Sequence, residues 1–197
     1  MLRKLLFVLL AAACLISAGA RAAPPAVQPA ATGAAYIRLD DSWRGFWPHG
    51  AEFVAYTVSL DAQPQDAFHV MLKPGLGMML TFADKKNFGA AKNMLEAHRE
   101  WELNYWRKNA GTLNSKNRED LAGGRSDLLV TEIVLPQADG PGLTAYMIGV
   151  AGSNGVFVFS ISPVGAEDND MVKKLIASIR VEHKKLDLKA EAKKVAP

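Results

Sequence analysis

The chain has 197 residues, a formal net charge of +3, an apolar share of 49% and one cysteine, Cys14. Its length and apolar share fit one globular domain around an ordinary hydrophobic core. Three of its 23 basic residues, Arg3, Lys4 and Arg21, stand in the first 22 positions, and the other 20 are matched by 20 acidic residues. The body therefore lacks the basic footprint of a nucleic-acid binder.

Residues 1–4 carry two positive charges, residues 5–17 are almost wholly apolar, and Ala20-Arg21-Ala22 precedes Ala23-Pro24-Pro25. This is the pattern of a secretory signal with a small-x-small cleavage site after Ala22. The apolar run is shorter than the roughly 20 residues of a membrane span. A competing route starts from Leu10-Ala11-Ala12-Ala13-Cys14, which resembles a bacterial lipoprotein site, although apolar Leu15 and Ile16 follow where a polar tether is expected. Cleavage after Ala22 places a cysteine-free chain in the periplasm or outside the cell, and the alternative leaves it lipid-anchored through Cys14. Without Cys14 the chain has no disulfide, thiolate ligand or cysteine nucleophile.

Residues 23–35, rich in Ala, Pro and Gly and without charge, read as a flexible leader, and residues 36–182 as a single domain. Early in that domain Trp43-Arg44-Gly45-Phe46-Trp47-Pro48-His49-Gly50 reads as a loop-like segment with three large aromatics. It is either a surface for a glycan or protein partner or a plug over one end of a sheet. Strands are expected at 52–60, 67–73 and 78–82, the last two divided by Pro74-Gly75-Leu76-Gly77.

From 84 to 109 the period becomes helical, with Asp84 as N-cap and Gly111 just past the end. Phe88, Ala91, Met94, Leu95, Trp101 and Tyr105 fall at three- and four-residue steps and are expected to face a sheet, leaving Trp106 as the aromatic most free for contact. Strands at 125–135, 143–151 and 156–161 then form a meander, separated by 138–142 and by Ser153-Asn154-Gly155. Asn154-Gly155 is expected to centre a tight hairpin with positive φ at both positions. A helix at 166–178 follows, with Val172, Leu175 and Ile176 on its apolar side and Glu167, Asp168 and Asp170 at its N-terminus. A short strand at 179–181 closes the domain. The expected class is α+β, an antiparallel sheet flanked by a long helix and a C-terminal helix.

Residues 183–197 form a basic Ala/Lys-rich tail of net +3, from five Lys against Asp187 and Glu191, beside a body of net −3. The opposition in sign would let the tail lie on its own domain or on an anionic surface such as lipid headgroups. The plain alternative is a solvated tail with nascent helix.

The order of hairpin, long helix, meander and closing helix, with GVFVFSISP, then Asp170, then KKLIASIRV, resembles the PsbP/Mog1-like superfamily, which includes exported bacterial proteins of the DcrB type. The resemblance covers about residues 50–182 and is motif-like only in the last 30 or so. It implies an α/β/α sandwich in a group of assembly or binding factors, and it transfers no catalytic or metal-binding residue.

Chemistry-bearing patterns are sparse. His98 and Glu102 stand one helical turn apart, but zinc usually takes three or four protein ligands. His49, His69 and His183 fall in a loop, a strand and the tail, and there is no HExxH. Gly152-Ser153-Asn154-Gly155 fails the spacing of a nucleophile elbow. Glu96, Glu100 and Glu102 share one helix, where pairs with Arg99, Lys92 and Arg107 are expected rather than acid/base work across a cleft. Gly123-Gly124 and Gly75-x-Gly77 lack the Lys-Ser/Thr of a phosphate loop. The sequence therefore points to no catalytic, metal or cofactor set.

The leading expectation is a non-catalytic envelope protein that binds a protein partner in assembly or maintenance, with Trp43, Phe46, Trp47 and Trp106 as contact candidates. A carrier of a small ligand or cell-wall glycan using the aromatic segment is the alternative, and a hydrolase with a site assembled from distant residues is the third. The intact mass of the chain recovered from its host should correspond to a start at Ala23; a diacylated start at Cys14 would establish the anchored route instead.

Overall fold

Alternating apolar residues make strands in both halves of the chain, but the strands divide between two antiparallel sheets. The computed structural model describes residues 27–29, 34–66, 68–88, 93–136 and 142–193. The segment read as a signal, which includes Cys14, lies outside them, as do Ala91 and most of the loop 138–142. The smaller sheet runs β1 (Val27–Pro29), β2 (Ala35–Arg38), β3 (Ser42–His49), β4 (Glu52–Ser59) and β12 (Arg180–Glu182). The larger runs β5 (Gln63–Pro64), β6 (His69–Lys73), β7 (Leu76–Asp84), β11 (Gly155–Ser162), β10 (Leu143–Ala151), β9 (Leu128–Leu135) and β8 (Asn114–Asn117). Four α-helices accompany them among the described residues: α1 (Met94–Ala110), α2 (Glu119–Ala122), α3 (Asn169–Ser178) and α4 (Leu188–Lys193). The class is α+β.

The period of two along each strand sends alternate side chains to opposite faces, and this assigns the layers. Trp43, Trp47, Val54, Tyr56 and Val58 from the small sheet share one core cluster with Val130, Ile148, Phe157 and Phe159 from the large sheet. Val172, Leu175 and Ile176 of α3 join the same cluster. On its other face the large sheet presents Ile133, Met147, Val156 and Val158 to Leu95 and Leu103 of α1. A single sheet between helices was expected. Strands β1–β4 instead form their own sheet with the late strand β12, while β5–β7 join the later strands through the β7–β11 pair.

Two expected tails are part of the fold. Val27–Pro29, inside the segment read as a flexible leader, pairs with β2. Leu186 and Leu188, inside the basic tail for which contact with its own domain and a solvated state were both open, pack on Ile37, Phe46, Phe53 and Ala55 on the outer face of the small sheet. Asp187 caps α4 there by accepting from the backbone N–H groups of Lys189 and Ala190 at 3.0 and 3.1 Å.

The long helix starts later than its period suggests. Asp84 caps only a 3-10 turn at Lys85–Asn87, and Asn93, accepting from the Glu96 N–H at 3.2 Å, is the N-cap of α1. Gly111 ends it as expected, donating to the Arg107 carbonyl at 3.1 Å.

The β10–β11 turn also differs from expectation. Ala151 pairs with Val156 and the Gly152 N–H donates to the Gly155 carbonyl at 2.9 Å, so Ser153 and Asn154 are the central residues. Gly155 lies in β11 without a left-handed φ; it is needed because a Cβ there would run into the Ala83 carbonyl oxygen and the Phe82 ring of β7. Gly155→Ala should therefore destabilise the fold by about 1–3 kcal/mol through overpacking. An unchanged urea midpoint would count against that close approach.

Candidate functional site

The aromatic segment is not a loop. It is strand β3, joined to β4 by the two-residue turn Gly50-Ala51, with Gly50 at φ +60° and His49 opposite Glu52. Trp43 and Trp47 point into the inter-sheet core, Phe46 points the other way beneath the C-terminal segment, and all three are buried. The strand period sets Phe46 on the opposite face from Trp43 and Trp47, and with both faces covered the three offer no common surface. The Trp43 indole N–H donates to the Leu60 carbonyl at 3.3 Å, as a core tryptophan requires.

The turn end of this hairpin gathers three polar residues that the sequence scatters. The buried Glu52 carboxylate accepts from the Ser153 N–H at 2.9 and 3.0 Å, from the Ser153 hydroxyl at 2.8 Å, and faces His183 Nδ1 at 2.8 Å. His183 Nδ1 also lies 3.3 Å from Ser153 Oγ. A serine, a histidine and a carboxylate thus meet, but their hydrogen bonds do not follow the order of a Ser-His-acid triad. In a triad the histidine uses one ring nitrogen for the serine and the other for the acid. Here a single nitrogen faces both, the serine proton goes to Glu52, and the Ser153 N–H is taken by the same carboxylate. The arrangement clamps the β10–β11 turn to the start of β4. The signal for it in the sequence was a carboxylate at the head of an otherwise apolar strand.

His98 and Glu102 are not metal ligands in waiting. His98 is buried between the rings of Phe88 and Trp101, at centroid distances of 5.7 and 6.1 Å. Burial also raises the pKa of Glu102, opposed by a hydrogen bond from Trp106. No group of three or more His, Cys, Asp or Glu among the described residues could hold a metal ion. Of the helical carboxylates, Glu96 and Glu100 pair with Arg99 at 2.8 and 2.7 Å.

The face of α1 is turned from the expected one. Leu95, His98 and Leu103 are buried and Trp106 is half-buried against the same cluster, while Trp101 and Tyr105 are 41% and 52% exposed. At 3.6 residues per turn, position 101 lies about 200° from 103, so burying Leu103 turns Trp101 outward. The exposed aromatics on this helix are therefore Trp101 and Tyr105, not Trp106.

A cavity of about 550 Å³ opens at the opposite end of the β3–β4 hairpin from Glu52. Its walls are Asp41, Ser42, Thr57 and Ser59 from the hairpin and Lys174 and Ser178 from α3. Val58, Leu72 and Leu175 make its apolar floor. The Thr57 N–H donates to Ser178 Oγ at 2.8 Å and the Ser178 hydroxyl to the Leu175 carbonyl at 2.7 Å, which ties the helix end to the strand. Sequence reading missed this site because its residues come from three separate segments, each unremarkable alone.

No family model, no curated protein and no solved structure matches the chain.

Desolvation holds His98 at a pKa of about 4 against an ordinary value of 6.5. The unfolded chain takes up this proton as the pH falls below about 6.5, and the folded chain only near 4. The stabilisation is complete above the upper value and is lost towards the lower one, on the order of 3 kcal/mol in all. Urea unfolding at pH 7 and pH 4.5 should show a larger acid loss for the wild type than for His98→Phe; equal losses would overturn the assignment.

Proposed function

We propose that this chain is an exported, non-catalytic protein of the cell envelope, of the PsbP/Mog1-like kind, that works by binding a protein partner in assembly or maintenance. The observation that carries the reading is the aromatic pair Trp101 and Tyr105, one turn apart on the solvent face of α1. The fold buries its other tryptophans wholly or in part, so two large rings left outside one helix are most simply contact residues. Arg107 and Lys108 follow in the last turn of α1, a basic flank suited to a partner whose apolar groove has an acidic rim. The arrangement at Ser153 supports the non-catalytic part, since its hydroxyl and its N–H are both held by Glu52 and His183 faces both partners with one nitrogen, so no Ser-His-acid relay is laid out.

A second reading, the carrier of a small ligand, loses the aromatic segment but gains the cavity beside Asp41 and Lys174.

The partner reading is tested by crosslinking in envelope extracts. A specific partner retained by the wild type should be lost by Trp101→Ala/Tyr105→Ala with the melting temperature little changed, because exposed substitutions stay within about 0.5 kcal/mol. Recovery of the same proteins by both chains would remove the reading. Trp43→Ala or Trp47→Ala is no control for contact, since either should unfold the chain by about 3–5 kcal/mol.

A further inference from the structure

The cavity at the open end of the β3–β4 hairpin carries one charge of each sign, and neither is neutralised. Asp41 accepts one hydrogen bond among the described residues, from the adjacent Ser42 hydroxyl at 3.1 Å, and Lys174 makes no ion pair among them.

The hydroxyls between the two charges are unequally committed. Ser178 spends its oxygen on Thr57 and Leu175. The Thr57 hydroxyl makes no hydrogen bond among the described residues, and Ser59 accepts only from the Asp61 N–H at 3.2 Å, keeping its own proton to give. The apolar part of the lining is the buried Val58, Leu72 and Leu175 with half-buried Met171.

We propose that this cavity is a binding site for a short zwitterionic peptide with an apolar side chain, about the size of a dipeptide. The ammonium group goes to Asp41, the carboxylate to Lys174, the peptide group to the free valences of Thr57 and Ser59, and the side chain to the floor. The volume lies within the ordinary range of about 300–1,000 Å³ for small-molecule sites. A fatty acid would leave Asp41 facing hydrocarbon, and a sugar would leave the floor and both charges without complements. The inference goes beyond the partner reading and is independent of it, since α1 contributes nothing to the cavity.

The test is calorimetric titration of the purified chain with Ala-Leu, N-acetyl-Ala-Leu, Ala-Leu amide, glucose and octanoate. Saturable binding of Ala-Leu is expected, weakened about 10-fold or more by either cap, because hydrogen bonds to charged groups are worth about 1.5–3 kcal/mol. Lys174→Met should weaken Ala-Leu to the level of its amide and leave the amide unaffected, and Asp41→Asn should do the same for the N-acetyl form. Both side chains are exposed, so the variants should fold, and thermal melts check it. Absence of saturable heat up to about 10 mM would overturn the proposal. So would capped and free peptides binding alike, a preference for octanoate or glucose, or variants that bind as the wild type does.

Discussion

The fold depends on aromatic side chains meeting between the two sheets. Trp47 of β3 stands edge-on to Phe157 of β11 at a centroid distance of 5.9 Å, and Tyr56 of β4 edge-on to Phe159 at 5.3 Å. Such pairs contribute about 0.5–1.5 kcal/mol beyond the burial of their surface. They join a hairpin near the start of the chain to the meander near its end, which shares no backbone ladder with it. The polar tip of Tyr56 is met by Tyr36 at 2.8 Å, so the core keeps a hydroxyl without leaving it unpartnered. Desolvation raises the pKa of both phenols, which stay neutral donors and acceptors through the physiological range.

With its centre held this way, the β3–β4 hairpin has two unlike ends. At the turn end the buried Glu52 carboxylate is saturated by donors from Ser153 and His183, and a buried charge so satisfied locks geometry instead of offering chemistry. At the other end α3 packs on the core beside β4 and its Ser178 hydroxyl accepts from the Thr57 N–H, and hydroxyls and charges are left over. At the rigid end a serine, a histidine and a glutamate stand together with both Ser153 donors turned to Glu52. The other end holds the cavity proposed as a small-ligand site, and helix α1, on the far face of the large sheet, carries the exposed Trp101 and Tyr105.

Much of the fold was legible residue by residue. The strand β10 falls where its alternation placed it, and the helix with Val172, Leu175 and Ile176 inward keeps its stripe. Legibility failed where two signals competed. Asn93 offered a better cap than Asp84 once the chain had turned at Lys85–Asn87, so the long helix began later. Of the residues expected to face inward, Phe88, Met94 and Leu95 do pack on the large sheet, but farther along α1 Leu103 fits that face, and it left Trp101 and Tyr105 outside. In β3 three aromatics within five residues suggested a surface cluster, yet a strand divides neighbours between its faces, and here both faces are covered. The candidate site was the least legible part, because Asp41, Thr57 and Lys174 belong to no motif and meet only across the hairpin and α3.

The amino-acid order by itself determined the periods, the breaks between elements, the α+β class and the lack of any recognisable catalytic or metal-binding pattern. These are properties of short stretches, in which side chains a few residues apart share a face whatever lies opposite. The tertiary structure alone decided that the strands form two sheets, that α1 turns its aromatics to solvent, and that residues 101 positions apart, Glu52 and Ser153, share hydrogen bonds. Those outcomes follow from which whole faces bury the most apolar surface against each other, and local periodicity does not encode that pairing.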